Sequence, residues 1–222
     1  MLFRTQNKCV PLLRIEKINE DATLALWKIS ESKQELIAML GNHLHDSSRP
    51  DNPAENVGVH WFASRVLLQH LFDADAIRIH KNEYNKPTLQ IDETPYFISI
   101  SHSGKYAAVM VSKQCEVGID IEKTDERIHR ISHKFLNEDE TIFAISAAQK
   151  ILIWSAKETM YKIYGQKELD FREHLNVNYF DVKESGNFFG IVKKNNLQLD
   201  LEINYECIDD YVMTWSRLQK IN

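Results

Sequence analysis

Asp120 and Glu122 stand two positions apart in the stretch Val117-Gly-Ile-Asp-Ile-Glu122. The stretch reads as a β-strand, and strand alternation puts positions i and i+2 on one face. The two carboxylates therefore point together, with Ile119 and Ile121 on the other side. Like charges so placed repel unless a cation lies between them. A third carboxylate stands in Trp154-Ser-Ala-Lys157-Glu158-Thr-Met-Tyr-Lys162. On a helix Trp154, Glu158 and Lys162 share a face, and Lys157 and Tyr161 line the next stripe. Taken alone this is an i,i+4 Glu–Lys pair on a solvated helix, worth ~0.2–0.5 kcal/mol. Taken with the strand, Asp120, Glu122 and Glu158 form a hard oxygen set suited to Mg²⁺, which keeps waters and takes phosphate oxygens from a substrate. A lysine beside such a set neutralises phosphate as a point cation.

Two further stretches carry polar groups. In Tyr96-Phe-Ile-Ser-Ile-Ser-His-Ser103 the serines 99, 101 and 103 alternate with Ile98, Ile100 and His102. His102 can donate to a phosphate; the plainer reading is a strand-end histidine satisfied by backbone. Lys86, before Pro87, is presented by a turn. Other patterns fail on their chemistry. His129 and His133 have the i,i+4 spacing of a zinc helix, but the glutamate of HExxH is missing and no third ligand is evident. Ser101-His102 lacks the G-x-S-x-G elbow of a nucleophile.

The elements that must position these residues are legible in outline. Strands are expected over 11–17 and 23–29, followed by a capped helix after Ser30 that ends near Gly41. A polar loop leads to a helix over about 55–72. The runs KYAAVMVSK and CEVGIDIE, separated by a polar turn, predict a tight hairpin. Residues 125–164 read as helical, with Asn137 and Ser146 as caps and a stop near Gly165. The tail, 175–216, alternates as strands. Strands and helices mix without regular βα alternation, so the class expected is α+β.

The chain has 222 residues, 43% hydrophobic and 27% charged, with seven glycines and five prolines. That is a soluble globular composition without a long flexible linker. The net charge of −5 argues against nucleic-acid binding through bulk positive charge. Three cysteines without CxxC spacing argue against a disulfide framework or zinc site and suit a reducing cytoplasm. The N-terminus lacks a long apolar run, so no signal peptide is expected, and no stretch is long enough for a membrane span.

Taken together and in order, four stretches resemble the 4′-phosphopantetheinyl transferase superfamily, of the larger, monomeric, Sfp-like type. The family shows a G-K-P turn, F-N-x-S-H-S, (V/I)-G-(V/I)-D-(I/V)-E and W-x-x-K-E-(A/S)-x-x-K. This chain has Asn85-Lys86-Pro87, Phe97 to Ser103, Val117 to Glu122 and Trp154 to Lys162, and KFLNEDE (134–140) resembles the family's K-F-(L/F)-x-x-x-E. Clear matches run from about 84 to 162. Asn85 stands where glycine is usual, Ser99 where asparagine is commoner, and Thr159 where alanine or serine is. Of the basic cluster that holds the coenzyme A 3′-phosphate, only Arg49, His60 and Arg65 are found around 49–65.

The resemblance implies two similar α/β halves related by pseudo-twofold symmetry, the 4′-phosphopantetheinyl transferase fold, divided here into 1–103 and 104–222. It implies transfer of the 4′-phosphopantetheine arm of coenzyme A to a serine of an apo acyl or peptidyl carrier protein, giving 3′,5′-ADP. Asp120, Glu122 and Glu158 would hold Mg²⁺, with Glu158 also general base and Lys162 at the leaving phosphate. Lys157 would help neutralise the diphosphate. Lys86, Ser101, His102 and Arg65 would bind coenzyme A. An acidic carrier would meet basic or apolar residues such as Lys134 and Phe135, and neither nucleic acid nor membrane is expected as a partner. The rival readings are another Mg²⁺-dependent phosphotransferase and a non-catalytic module that binds coenzyme A or the carrier.

Overall fold

The computed structural model describes residues 13–40, 44–47 and 55–218. The first half comprises β1 (Leu13–Lys17), β2 (Ala22–Lys28), α1 (Lys33–Met39), β3 (Leu44–Asp46), α2 (Glu55–Gln69), β4 (Ile77–Lys81), β5 (Pro87–Ile91), β6 (Thr94–Ser103) and β7 (Tyr106–Ser112). Then follow β8 (Val117–Lys123), α3 (Ile128–Ile131), a 3₁₀ turn over Ser132–Lys134, α4 (Glu138–Phe143), α5 (Ala147–Tyr164), β9 (Leu175–Val177), β10 (Ser185–Lys194), β11 (Leu197–Ile208) and β12 (Tyr211–Arg217). The α+β expectation holds. Among the described residues there are two sheets, a seven-stranded one ordered β1-β2-β7-β6-β5-β4-β3 and a five-stranded one ordered β8-β12-β11-β10-β9.

One strand order occurs twice. In each half a strand leads through a helix into a four-strand meander, whose last strand returns antiparallel beside the first: β2 with β7, and β8 with β12. The strand order defines a repeated topology and not, by itself, a rotation axis. The change of sheet falls at 113–116. The expected break at 103/104 instead lies within the β6–β7 hairpin, which belongs wholly to the first sheet.

The hairpin expected between the runs around 106–112 and 117–123 does not form. β7 pairs with β2 and β6, whereas β8 pairs with β12. The reason is burial on both faces. Ala107, Val109 and Val111 of β7 face the α2 core, and Tyr106, Ala108 and Met110 face Val117, Ile119, Ile121 and Met213 of the other half. A strand covered on both faces reads as a continuous apolar run, which resembles a hairpin arm in sequence.

Local signals set several helix ends. Asn137 and Ser146 each close a capping box, with Glu140 and Gln149 respectively. Gly165 ends α5 in the left-handed conformation at φ 68°. The cap of α1 is Ser32 with Glu35 rather than Ser30. Arg49 and Gly41 lie outside the described residues. Among the described residues no helix is long and apolar enough to cross a membrane.

Candidate active site

The site begins with an edge strand. β8 ends the second sheet, so one row of its N–H groups has no neighbouring strand. Three serines on one face of β6 complete that row. Ile119 N–H donates to Ser99 Oγ at 3.0 Å, Ile121 N–H to Ser101 Oγ at 3.2 Å and Lys123 N–H to Ser103 Oγ at 3.3 Å. The serine alternation is thus a ladder that locks β8 against the first sheet in one register.

β8 presents Gly118, Asp120 and Glu122 to α5, while Val117, Ile119 and Ile121 enter the core between the sheets. Gly118 allows the close approach: a Cβ there would lie 2.3 Å from the carbonyl oxygen of Thr159. The two elements run antiparallel and match in length. Gly118 to Glu122 spans about 13 Å of strand, and Trp154 to Lys162 about 12 Å of helix. Trp154 Nε1 accordingly donates to Glu122 Oε1 at 3.0 Å, and Lys162 Nζ to Asp120 Oδ1 at 2.8 Å and the Ile119 carbonyl at 2.9 Å.

Glu158 lies between these contacts. Burial, then the Asp120 charge, pushes its carboxyl up to about 7, with Lys162 opposing and Glu122 adding. Burial and Asp120 also raise Glu122, against the Trp154 hydrogen bond. Ser101 Oγ donates to Asp120 Oδ1 at 2.8 Å, and Ser103 Oγ to Glu122 Oε2 at 3.5 Å. Asp120 Oδ2 is buried without a hydrogen-bond partner among the described residues.

Oxygen donors, mutual repulsion and an orphaned carboxylate oxygen fit a hard divalent cation in chemical terms. The expected convergence on one point is not preassembled. Among the described residues, no three His, Cys, Asp or Glu side chains stand ready to enclose a metal ion. The cation in contact with Asp120 is Lys162.

Lys162 also borders a cleft of about 350 Å³ whose walls include Lys86, Pro87, Ile98, Ser99, Tyr161 and Gly165. Lys86 thus shares the cleft, with its ammonium held by Glu116 Oε2 at 2.5 Å and the Ile163 carbonyl at 3.0 Å. The preceding residue, Asn85, has φ 65°. Asparagine is among the non-glycine residues that tolerate the left-handed region, which accounts for the replacement of the family's glycine. His102 stacks on His60 of α2, ring centroids 4.6 Å apart, and His60 Nε2 donates to the Gly104 carbonyl at 2.7 Å. The His102 ring keeps an exposed edge, yet burial, then His60 and Lys162, push it down to about 4, so it is neutral at physiological pH.

Two expected site residues are not brought here. Lys157 is 0% exposed, and its ammonium donates to Glu140 Oε2 at 2.6 Å and to the carbonyls of Phe135 at 2.7 Å and Phe171 at 2.8 Å. All its donors are satisfied inside the protein, so it has none for a diphosphate. Arg65 is 8% exposed. Its Nε and one terminal nitrogen hold Asp46 Oδ2 at 2.7 Å, the other donates to Ser64 at 3.0 Å, and its plane lies over Trp61. It is not presented as a free phosphate-binding group. Ser101 uses its hydroxyl between Asp120 and Ile121 N–H rather than opening it to a nucleotide. Phe135, 1% exposed, is core and not docking surface.

Sequence reasoning missed Trp154 as a donor to Glu122 and His60 as the partner of His102. The Trp154-Glu158-Lys162 spacing held the first signal. Nothing in the spacing of His60 held the second.

A sequence model of the 4′-phosphopantetheinyl transferase superfamily matches residues 116–216. The 4′-phosphopantetheinyl transferase gsp of Aneurinibacillus migulanus is 34% identical over 109 residues, covering 46% of this chain and 44% of that protein. The 4′-phosphopantetheinyl transferase AcpT of Escherichia coli O157:H7 is 33% identical over 113 residues, covering 47% of this chain and 57% of that protein. The match spans about half the length of each of these curated relatives. The resemblance to the 4′-phosphopantetheinyl transferase superfamily is thus shown over residues 116–216, which carry all three carboxylates and Lys162.

Proposed function

We propose that the protein transfers 4′-phosphopantetheine from coenzyme A to a serine of an apo acyl or peptidyl carrier protein, releasing 3′,5′-ADP. The observation that carries this reading is the buried Asp120 Oδ2, without a partner among the described residues, beside Glu122, Glu158 and Lys162, the last of which borders a ligand-sized cleft. In the reaction the serine oxygen bonds to the β-phosphorus of coenzyme A and the phosphoanhydride bond breaks. Glu158 would take the serine proton as general base. Lys162 meets the charge that develops on the leaving phosphate. Asp120, Glu122 and Glu158 would hold Mg²⁺, which supplies charge neutralisation to the diphosphate when bound. The cleft beside Lys86 and Lys162 would take coenzyme A, and His102, stacked on His60 and near enough to Lys162 to feel its charge, offers a ring surface.

A shallow hollow lined by Ile128, Ile131, Ile151 and Trp154 lies beside Glu122. Arg127, Arg130 and Lys134 are exposed on the same segment. The apolar hollow, with Arg130 and Lys134 exposed nearby and Arg127 held by Asp125, would suit an acidic carrier domain. We also place the protein in the cytoplasm, as a monomer, with the two repeated halves related by a pseudo-twofold rotation. Cys115 and Cys207 are free thiols, which suits a reducing compartment.

The test is incubation with coenzyme A, Mg²⁺ and a panel of apo-carriers, read by intact-protein mass. The expected result is a gain of one phosphopantetheine arm on a carrier serine. No mass change on any carrier would overturn the reading. Another phosphotransferase would act without coenzyme A, and a binding module would retain coenzyme A without turnover.

A further inference from the structure

We propose that Lys162 is an exchangeable counter-ion: it holds Asp120 until a divalent cation takes that carboxylate, and then turns into the cleft to meet the anionic ligand. The inference rests on the metal and coenzyme A reading above and adds a coupling between the two.

Three observations carry it. First, among the described residues Lys162 holds two oxygens, Asp120 Oδ1 and the Ile119 carbonyl, at 2.8 and 2.9 Å. Second, Asp120 keeps its other oxygen, Oδ2, buried and without a partner among the described residues, so the carboxylate is not saturated by the lysine. Third, the Lys162 side chain is 25% exposed, against 5% for Asp120, and it borders the cleft with Lys86, Ser99 and Tyr161. It is therefore the mobile member of the pair. Lysine is a point charge on a flexible four-carbon stem, able to reorient without moving its helix.

The consequence is linkage. A cation entering at Asp120 competes with the ammonium, so its apparent affinity is reduced by the fraction of molecules in which the lysine is away. An anion in the cleft that captures the ammonium raises that fraction. Cation and anion then favour each other's binding by the same factor, roughly fivefold to 100-fold for couplings of ordinary size. The lysine would thereby keep the carboxylates compensated before the ligand arrives and release them when it does.

The test uses Mn²⁺ as probe, with the free ion measured by electron paramagnetic resonance, on the full chain and on Lys162→Gln. Without coenzyme A, K162Q is expected to bind Mn²⁺ about fivefold or more tightly than the unaltered protein, within the usual coupling range. Adding coenzyme A should tighten Mn²⁺ binding more in the unaltered protein than in K162Q. Equal or weaker Mn²⁺ binding by K162Q overturns the exchange. A second measurement needs no variant: lysine acylation mapped by mass spectrometry. Mg²⁺ should speed labelling of Lys162 and leave Lys157 unlabelled, and unchanged or slower labelling of Lys162 overturns the proposal. Failure of the underlying reading looks different. There, the unaltered protein binds no Mn²⁺ at any concentration, with or without coenzyme A.

Discussion

Lys157 and Lys162 lie on the same helix, both paired with carboxylates, yet one is sealed into the core and the other opens on a cleft. Around Lys157 every group is answered. Glu140 Oε2 takes the ammonium and the N–H of Asn137, and Oε1 takes the N–H of Val177. Around Lys162 the ammonium contacts Asp120, while Glu122 and Glu158 only feel its charge, and one Asp120 oxygen has no partner among the described residues. A fully satisfied buried network makes structure rigid, whereas a partly satisfied one keeps unmet demand for charge. On that contrast the first cluster is a strut and the second a site.

The largest expected effect tests the strut. Lys157→Met leaves Glu140 charged and buried without its partner, which costs about 3–5 kcal/mol for a buried pair broken on one side. Burial already lowers the lysine's pKa, with Glu140 opposing that shift. Removing both partners, as Lys157→Met with Glu140→Gln, should recover much of the loss, since a buried pair replaced as a unit is often neutral. Urea denaturation of the two single variants and the double variant measures this. Loss of the proposed transferase activity at full stability in K157M would instead move Lys157 into the site and end the contrast.

The next effect comes from pH, and its sign follows from Glu158. Its carboxyl has an ordinary value of 4.5 and sits at about 7 in the folded protein. Between those values the folded state binds more protons than the unfolded state, so stability falls as pH rises through the window. Above about 7 the loss is complete, at most about 3 kcal/mol for a shift of this size. Glu158→Gln should remove most of that fall: near the unaltered protein at pH 4, and more stable than it at pH 8. Glu122 is raised as well, so a shallower fall of the same sign should remain. Denaturation midpoints across that pH range decide it, and a parallel pH profile in E158Q would mean the cluster carries no strain.

How much of this the sequence disclosed depends on the range of the interaction. The shared face of Asp120 and Glu122, the facing of Trp154, Glu158 and Lys162, and the caps at Asn137, Ser146 and Gly165 are short-range and were legible. The separation of Lys157 from Lys162 was not, because it depends on Glu140 and two carbonyls brought in from other segments. The β7–β8 hairpin was misread for a related reason. A run buried on both faces carries no alternation to show which sheet it joins. Arg65 read as a free cation because Asp46, its partner, is close only through α2 packing on the first sheet.

The smallest effect concerns the serines that hold β8 in place, and it separates register from charge. Ser99 and Ser101 make the same backbone contact, each accepting one buried N–H of β8. Ser101 alone adds a hydrogen bond to Asp120. Ser99→Ala should therefore cost about 1–2 kcal/mol, the price of one unsatisfied buried donor. Ser101→Ala should cost about 1 kcal/mol more, because a bond to a charged acceptor goes with it. The difference between the two melting or urea curves isolates the Ser101–Asp120 bond. If the two variants lose the same stability, Lys162 alone orients Asp120, and the site is looser than the ladder beside it. If Ser101→Ala loses more, the ladder sets the strand's register and also fixes the carboxylate, leaving Oδ2 turned away from every protein donor.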